Sequence, residues 1–512
     1  MKKGKVTVGP NMIPSQSIKN KFLLVAVLAF GGCSFIPAVG PNYEEPKVNL
    51  PPEWVSLDKR NSARTAAKPT TAEGIPSVAP SADVELKTWW TNYNEPQLTV
   101  LVEKALEKNH DLKIAADRVL RAKALRMQAV SDFLPSIDAI GSYSRSDSSR
   151  STGTIRPDDR TVVVGPRSSY NVGLSSSWEI DIFGRVRRSV EAANADIDAQ
   201  EEEYHGVLLS LLAEVATSYI GLRASQKRVT IAEHNIKIQE QNSDLVEARF
   251  SAGISSELDV AQAKAELEST RAQVPLLEQA VKNGIYRLSV LTGENPGDGL
   301  DLSKVPPPAV NELIIASTPE ILNVGVPSDL LRRRPDVRSA ERQLAAATAR
   351  IGAAMAEFFP SFDITAAFGG QSQIRNNVFG RNSEYWSIVP GLRLPIFQGG
   401  RILAGVRANR AFAHEALMQY EKTVLTALEE TENAFVSLSK QRDRNAALSR
   451  AFAATQRALE LSTQLYEQGL ADFLRVIEAE RSAYAAEDRL VQSEQDLATS
   501  TVRIYTALGG GW

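Results

Sequence analysis

The sequence predicts an α+β membrane protein that contains one structural unit twice. Three observations support this: four short segments alternate apolar with polar residues, long helical segments follow them in pairs, and matching residues recur at a fixed distance. The chain of 512 residues, 43% of them hydrophobic, has ample material for a folded core. We therefore expect each half to contain a helix, two strands, a long helix, a tight turn and a second long helix.

The duplication is clearest around two glycine turns. Gly469 follows Gly253 by 216 residues, and Leu474 follows Leu258 by the same 216 residues. Farther upstream the offset is 225, pairing "LPS" at 134–136 with "FPS" at 359–361, which indicates a nine-residue insertion in the first copy, within 147–168. These offsets predict a first repeat over 89–309 and a second over 310–512.

The predicted strands have one apolar face and one polar face. They lie at 134–144, 170–182, 361–370 and 384–397. Their apolar positions alternate as strands require: Ile137, Ala139, Tyr143; Tyr170, Val172, Leu174, Trp178, Ile180, Ile182; Phe362, Ile364, Ala366, Phe368; Trp386, Ile388, Leu392, Leu394, Ile396. Pro390 removes one ladder hydrogen bond, which would demote its strand in a water-soluble sheet. Trp178 and Trp386 are typical of aromatic residues at a membrane interface.

The helical segments are unusually long. Helical spacing covers 96–131, and no proline occurs from Val186 to Phe250, a length of about 95 Å as a helix. After Gly253, a second helix carries apolar residues at seven-residue intervals, a coiled-coil spacing: Leu267, Val274, Val281, Leu288. The segments 401–466 and 474–508 repeat this pair.

Four such strands cannot close a membrane barrel alone, because the smallest barrels have about eight strands. Open edges in lipid leave backbone polar groups unsatisfied at several kcal/mol each. The chain must therefore associate. Two copies would give eight strands around a filled lumen and three would give twelve around an open one, and the long helices favour the wider tube. A soluble sandwich with a helical stalk is the alternative.

The N-terminus has the features of a secretory signal. Lys19 and Lys21 precede an apolar run at 22–30, which two glycines and Cys33, the single cysteine, follow. The run is about half the ~20 residues that a transmembrane helix needs, which disfavours a permanent anchor. We expect residues 1–32 to be a signal peptide, with Met12 as an alternative start, and 33–88 to be an extended segment.

Several functional classes are disfavoured. The formal net charge of −3 comes without a concentrated basic face, which argues against nucleic-acid binding. The four histidines are scattered without metal-ligand spacing, so we expect no metal and no cofactor: His110, His205, His234, His414. GxSxG and phosphate-loop motifs are absent from the sequence, so we expect no enzymatic activity.

Several motifs resemble those of the TolC family of outer membrane efflux proteins, in its lipoprotein branch that serves resistance–nodulation–division (RND) pumps. They are "VGPNYEEP" after the cysteine, "FGR" and "FQGGR" at the strand–helix junctions, "FFPSFD" and "GLRLPIF" in the strands, and the two glycine turns. The resemblance covers about Gly40 to Leu508. It implies a homotrimer with a twelve-stranded transmembrane β-barrel, four strands per chain, and an α-helical coiled-coil tunnel in the periplasm, with an equatorial belt around 294–328 and the chain ends.

The implied function is a passive exit duct that conducts drugs or other small molecules outward. Its implied partners are a periplasmic adaptor protein, an inner-membrane RND pump and outer membrane lipids. A type I protein secretion component, a metal-efflux component, a coiled-coil adhesin and a lipid-tethered hydrolase are the alternatives.

The resemblance also implies site residues. Cys33 matches the acylated cysteine of bacterial lipoproteins, with Phe30 where those proteins prefer Leu and with Ser34 suited to outer-membrane sorting. The adaptor contacts fall on the two tips: Gly253, Ser255, Ser256, Leu258; Gly469, Ala471, Asp472, Phe473. The periplasmic gate falls on Tyr466, Leu474 and Glu478, with Asp259 as the link to the outer helices. Since the second tip has Ala471 where some members carry Arg, Arg475 or Tyr466 is expected to hold Asp259. The alternative is that Glu478 and Arg481 form an ordinary solvated helix pair.

Overall fold

The computed structural model describes residues 38–46, 50–52, 54, 88–147, 166–296 and 327–511. The signal segment, Cys33 and the insertion expected within 147–168 lie wholly or mostly outside them, as does most of the expected belt at 294–328. The helices and strands are, in chain order, α1 (Pro96–Lys108), α2 (His110–Ser131), β1 (Ser136–Ser146), β2 (Arg167–Ile180), α3 (Arg185–Ser251), α4 (Glu257–Arg271), α5 (Val274–Leu291), α6 (Leu330–Arg333), α7 (Pro335–Ala356), β3 (Ser361–Ser372), β4 (Glu384–Arg393), α8 (Arg401–Glu467) and α9 (Phe473–Ala507).

The chain forms two compact units, and each draws on both sequence repeats. The first comprises Met1–Glu44, Lys123–Asp196 and Leu344–Ala416; the second comprises Glu45–Ala122, Ile197–Gln343 and Leu417–Trp512. The order helix, strand, strand, long helix, helix nevertheless occurs twice along the chain. The spatial division therefore cuts across the duplication.

The first unit contains an antiparallel four-stranded sheet in the order β1-β2-β3-β4. Its register pairs Leu174 with Phe368 and Phe368 with Trp386, and directly paired residues point to the same side of a sheet. The predicted apolar positions of all four strands consequently share one face. The alternation seen in the sequence is confirmed.

This apolar face is exposed in the single chain, where 74% of the Trp386 side chain and 60% of the Phe368 side chain are accessible. β1 and β4 are the edges of the sheet, and Pro390 lies on the edge strand β4, where proline is tolerated. Two predicted strand ends were too long: β2 ends at Ile180 and β4 ends at Arg393, before Pro395. An apolar face of this size with open edges requires other copies of the chain.

The segment that follows the expected lipidation site packs at the junction of β2 and α3. The Val39 amide donates to the Phe183 carbonyl (3.1 Å). The Arg188 guanidinium, nearly buried, donates to the Asn42 side chain at 2.8 Å and to the Val39 carbonyl at 3.2 Å. Gly40, with φ of 100°, leaves no room for a Cβ because Gly352 lies against it. The N-terminal segment is thus fixed beside the sheet.

The second unit has an aromatic core. The Trp89 ring stacks on Tyr505 with centroids 5.3 Å apart, and the Tyr93 hydroxyl donates to the Ala498 carbonyl at 3.0 Å. Trp54 packs edge-on against Phe435 at 5.5 Å in a neighbouring cluster. Burial of these large side chains, at about 25 cal/mol per Å² of apolar surface, stabilises the start of the first repeat against the last helix.

Two helices predicted as continuous are interrupted. The helix predicted over 96–131 breaks at the buried Asn109, whose amide donates to the Leu291 carbonyl (2.9 Å) and whose oxygen accepts from the Leu112 amide (3.0 Å). Asn109 therefore caps α2. The helix after Gly253 breaks between α4 and α5, just before Pro275, which cannot donate a helical hydrogen bond.

Candidate functional site: the two helix-hairpin tips

The two predicted tips lie in the second unit and have the same turn geometry. α3 ends at a turn where Gly253 has φ of 75°, and α8 ends at one where Gly469 has φ of 72°. In the first tip the Ile254 amide donates to the Arg249 carbonyl at 2.9 Å, and in the second the Leu470 amide donates to the Leu465 carbonyl at 2.8 Å. Glycine is needed at both turns because the left-handed conformation disfavours residues with a Cβ.

The first tip is closed by a capping box. The Ser256 hydroxyl accepts from the Asp259 amide (3.2 Å), and the Asp259 carboxylate accepts from the Ser256 amide (3.0 Å) and the Ser255 hydroxyl (2.8 Å). Desolvation acts to raise the pKa of Asp259, but these hydrogen bonds outweigh it and lower the pKa below its ordinary value. Asp259 is thus held by its own turn rather than by Arg475 or Tyr466.

Both expected partners of Asp259 are engaged elsewhere. The Arg475 guanidinium lies 3.5 Å from the Glu478 carboxylate on the same helix, with both side chains largely exposed. Tyr466 is buried, and its ring centroid lies 5.3 Å from that of Phe473. The expectation that Arg475 or Tyr466 holds Asp259 is therefore wrong within one chain.

Tyr466 and Phe473 belong to a small core inside the tips. It joins residues of α3, α4, α8 and α9: Val246, Ala263, Tyr466, Phe473, Val476, Ile477, with Val260 packed against them. The side chain of Phe473 is only 3% exposed. Phe473 therefore stabilises the second tip from within and leaves the surface to its neighbours.

Arg249 links the two hairpins, a contact that the sequence reasoning missed. Its guanidinium lies 4.6 Å from the centre of the Tyr466 ring and donates to the backbone carbonyls of Tyr466 (3.2 Å) and Glu467 (3.1 Å). A cation at a helix C-terminus interacts favourably with the last carbonyls and the helix dipole. Arg249 of α3 thus caps the end of α8.

One face of α9 holds the other predicted gate residues. Leu474, Glu478 and Arg481 are four and three residues apart, which places them on the same exposed side of the helix. Arg481 donates to the Glu266 carboxylate of α4 at 2.6 Å, so it ties α9 to the first hairpin instead of pairing with Glu478. The solvated Glu478–Arg481 pair is therefore not what forms; Glu478 pairs with Arg475.

A buried carboxyl lies beside this face. Glu480 on α9 accepts from the Asn242 amide of α3, and burial raises its pKa to about 7, with the Glu266 carboxylate adding to the increase. One residue of each hairpin is thus joined by a hydrogen bond whose acceptor titrates near neutral pH.

The exposed ends of the tips are apolar. Ile254 and Leu258 are 73% and 64% exposed in the first tip, and Leu470 and Leu474 are 71% and 47% exposed in the second. Ile254 and Leu470 were missed, although the offset of 216 residues that relates Leu258 to Leu474 also relates this pair. Both tips therefore present two large apolar side chains at equivalent positions.

A sheet that cannot close alone, together with two long hairpins whose glycine tips are alike, defines the subunit of an oligomeric β-barrel channel. The sequence profile described as outer membrane efflux protein matches residues 101–294 and 326–510. Nodulation protein T of Rhizobium leguminosarum bv. trifolii is 31% identical over 490 residues, 95% of this chain and 96% of that protein. The solvent efflux pump outer membrane protein SrpC of Pseudomonas putida is 32% identical, covering 96% of this chain and 97% of that protein.

A solved structure of the outer-membrane channel OprN is similar, with a TM-score of 0.78 and 34% identity over 93% of this chain and 99% of that one. The chain belongs to the outer membrane efflux protein family. The predicted fold class is confirmed: it is that of the TolC-like trimeric channels, with a four-stranded sheet in each chain and a helical tunnel. The protein is an outer membrane efflux channel that extends into the periplasm.

Proposed function

We propose that the trimer is the exit duct of a tripartite pump and that the α9 face and the tips of α3–α4 and α8–α9 close its periplasmic end and receive an adaptor protein. The observation that carries this proposal is the repeated pair of exposed apolar residues at the two tips, Ile254 with Leu258 and Leu470 with Leu474. Exposed apolar side chains at the end of a helical hairpin are typical of a surface that another protein covers.

In the proposed gate, Leu474 forms an apolar constriction and Glu478 a ring of three carboxylates around the threefold axis. Both side chains project from α9 on the side opposite to its buried face, so they are free to meet their counterparts in other copies. Asp259 contributes by fixing the first tip through its capping box. Arg481 contributes by joining α9 to Glu266.

The gate is tested by permeability. Leu474→Ser removes the constriction, and Asp259→Ala removes a cap worth about 1 kcal/mol, so both variants should make cells more sensitive to large antibiotics that the outer membrane excludes. Asp443→Ala, on an exposed part of α8, is the control and should leave sensitivity unchanged. Wild-type sensitivity in the double variant, with trimers intact, would show that other residues hold the channel closed.

The adaptor site comprises the exposed part of the tips: Gly253, Ile254, Ser255, Ser256, Leu258, Gly469, Leu470, Ala471, Asp472. Two equivalent tips per chain give six in a trimer, so we propose six equivalent docking positions for a periplasmic adaptor, with an inner-membrane RND-type pump behind it. The similarity to a solvent efflux pump protein supports small molecules as the cargo.

Docking is tested by cysteine cross-linking in a Cys33→Ser background. Cysteine at Ile254 or Leu470 should cross-link to the adaptor in intact cells, whereas cysteine at the exposed Arg442 of α8 should not. Equal cross-linking from all three positions, or from none, would contradict docking at the tips.

We also propose that Cys33 is the acylated first residue of the mature chain, after removal of residues 1–32. The support is that Ala38 lies against Gly184 at the end of β2, and a five-residue segment can reach at most about 18 Å. The acyl chain would thus enter the membrane beside the sheet, where the barrel itself also holds the protein. Intact-mass analysis should show acyl mass on a chain starting at Cys33; an unmodified thiol would refute the assignment.

A further inference from the structure

The sheet has two distinct ends. All four connections between strands and helices lie at one end, where Ser136 pairs with Ser177 and Ser361 pairs with Arg393. The other end holds the β1–β2 and β3–β4 connections. Because the helical part of this family lies in the periplasm, the second end faces the cell exterior. The inference below rests on this outer-membrane placement.

Aromatic side chains mark a boundary near the exterior end. Tyr143 and Tyr170 are paired across β1 and β2, with ring centroids 4.8 Å apart, and both belong to the apolar face. Trp386 lies on the same face near the start of β4. Tyr and Trp are enriched where a barrel passes from hydrocarbon to headgroups. The outer boundary of the lipid therefore lies close to Tyr143.

Arg145 lies just beyond this boundary. It follows Tyr143 by two residues on β1, so both side chains leave the same face, about 7 Å apart along the strand. Arg145 is exposed and has no acidic partner among the described residues. An arginine that faces outward at this height lies at the level of the lipid headgroups.

The β3–β4 connection, 373–383, presents two more arginines in a folded loop. Two short 3-10 helices contain Arg375 and Arg381. Val378 is buried and its amide donates to the Arg375 carbonyl, while the Gly380 amide donates to the Asn377 carbonyl at 2.8 Å. The loop is therefore held by its own backbone and one apolar anchor.

The same loop exposes apolar side chains beside its arginines. Phe379 is 83% exposed and Ile374 is 61% exposed. The described charges at this end of the sheet are four arginines against two carboxylates: Arg145, Arg167, Arg375, Arg381; Asp147, Glu384. An exposed Phe and Ile with a surplus of cations match the chemistry of a surface that carries both acyl chains and phosphates.

We propose that Arg145, Ile374, Arg375, Phe379 and Arg381, here called the outer rim, bind a phosphorylated lipid of the outer leaflet. The guanidinium groups would bind its phosphates, for which the planar fork of arginine gives two parallel hydrogen bonds. Phe379 and Ile374 would contact the first carbons of its acyl chains. The outer rim continues the lipid-facing surface of β1, and its charge is complementary to phosphate, which is why lipid is the assigned occupant.

The test uses the purified full-length trimer in detergent, titrated with bisphosphorylated lipid A and, separately, with lipid A from which both phosphates have been removed. Wild-type protein should bind the phosphorylated form at least about tenfold more tightly, because charge-assisted contacts to phosphate are lost with the other. Arg145→Gln/Arg375→Gln/Arg381→Gln should lose that preference, and Phe379→Ser should weaken binding of both forms.

The matched control is Arg442→Gln/Arg450→Gln/Arg489→Gln, which removes three exposed arginines from α8 and α9 and should bind like wild type. Equal affinity of the wild-type protein for both lipids, or an unchanged preference in the rim variant, would overturn the proposal. A rim variant with altered single-channel conductance but wild-type lipid binding would assign the outer rim to the pore mouth instead. Conductance of the same preparations tests the duct itself, so failure of either idea can be recognised separately.

Discussion

Replacing Arg249 with Gln should favour the open channel, because Arg249 joins the first hairpin to the end of the second. The variant loses a guanidinium that donates to the Tyr466 and Glu467 carbonyls and covers the Tyr466 ring. At a partly exposed site each hydrogen bond contributes about 0.5–1 kcal/mol and the cation–π contact about 0.5 kcal/mol. The sum is about 2 kcal/mol per chain if all three contacts are lost on opening, which corresponds to roughly a 30-fold shift toward the open form.

Single-channel recording of the trimer in planar bilayers measures this shift as the fraction of time spent open. Arg249→Lys should be intermediate, since lysine keeps the charge but loses the two-pronged geometry and most of the stacking. Arg442→Gln, which removes an exposed arginine from α8, should behave as wild type. If Arg249→Gln and Arg442→Gln have the same open fraction, the Arg249 contacts persist on opening and the reasoning is refuted.

Three further changes test the rest of the structure. Glu480, whose pKa burial raises to about 7, binds its proton more tightly folded than unfolded, so stability of the tips should fall as pH rises from about 4.5 to 7; Glu480→Gln should flatten this dependence in amide hydrogen exchange, and an unaltered profile would contradict it. Asn109→Ala removes the α2 cap and leaves the Leu291 carbonyl without its donor, which should lower the free energy of unfolding by about 2 kcal/mol in denaturant titrations; a change below the error of the titration would contradict it. Gly369→Val should impair trimer yield on native gels, because a Cβ there would lie 2.4 Å from the Val172 carbonyl oxygen; Gly141→Val, where a Cβ meets nothing within 4 Å, is its control, and equal yields would contradict the argument.

The sheet could be predicted because its signal is local and repeated. Alternation within each strand identifies the apolar face, and the register that pairs Trp178 with Ile364 then follows from keeping that face continuous. The glycine turns were equally legible, since Gly253 and Gly469 have the same offset as their neighbours and both adopt positive φ. Local chemistry repeated twice leaves little ambiguity.

The tip contacts were less predictable because they depend on which residues meet across hairpins. Arg249 and the carbonyl of Tyr466 are separated by 217 residues, and the position equivalent to Arg249 in the second repeat is Leu465, so the duplication gives no indication of the contact. Asp259 is the opposite case. The Ser-x-x-Asp spacing at 256–259 is a capping box that the sequence alone could have identified, and it competed with the expected long-range partner.

Single-channel conductance of the purified wild-type trimer, compared with Leu474→Ser/Glu478→Ser, tests the central claim most directly. A duct closed by the α9 face predicts small, infrequent openings for the wild type and several-fold larger, sustained conductance for the variant, with trimer assembly unchanged. Ion flow that is absent from both proteins, or identical in the two, would contradict a duct gated at its helical tips.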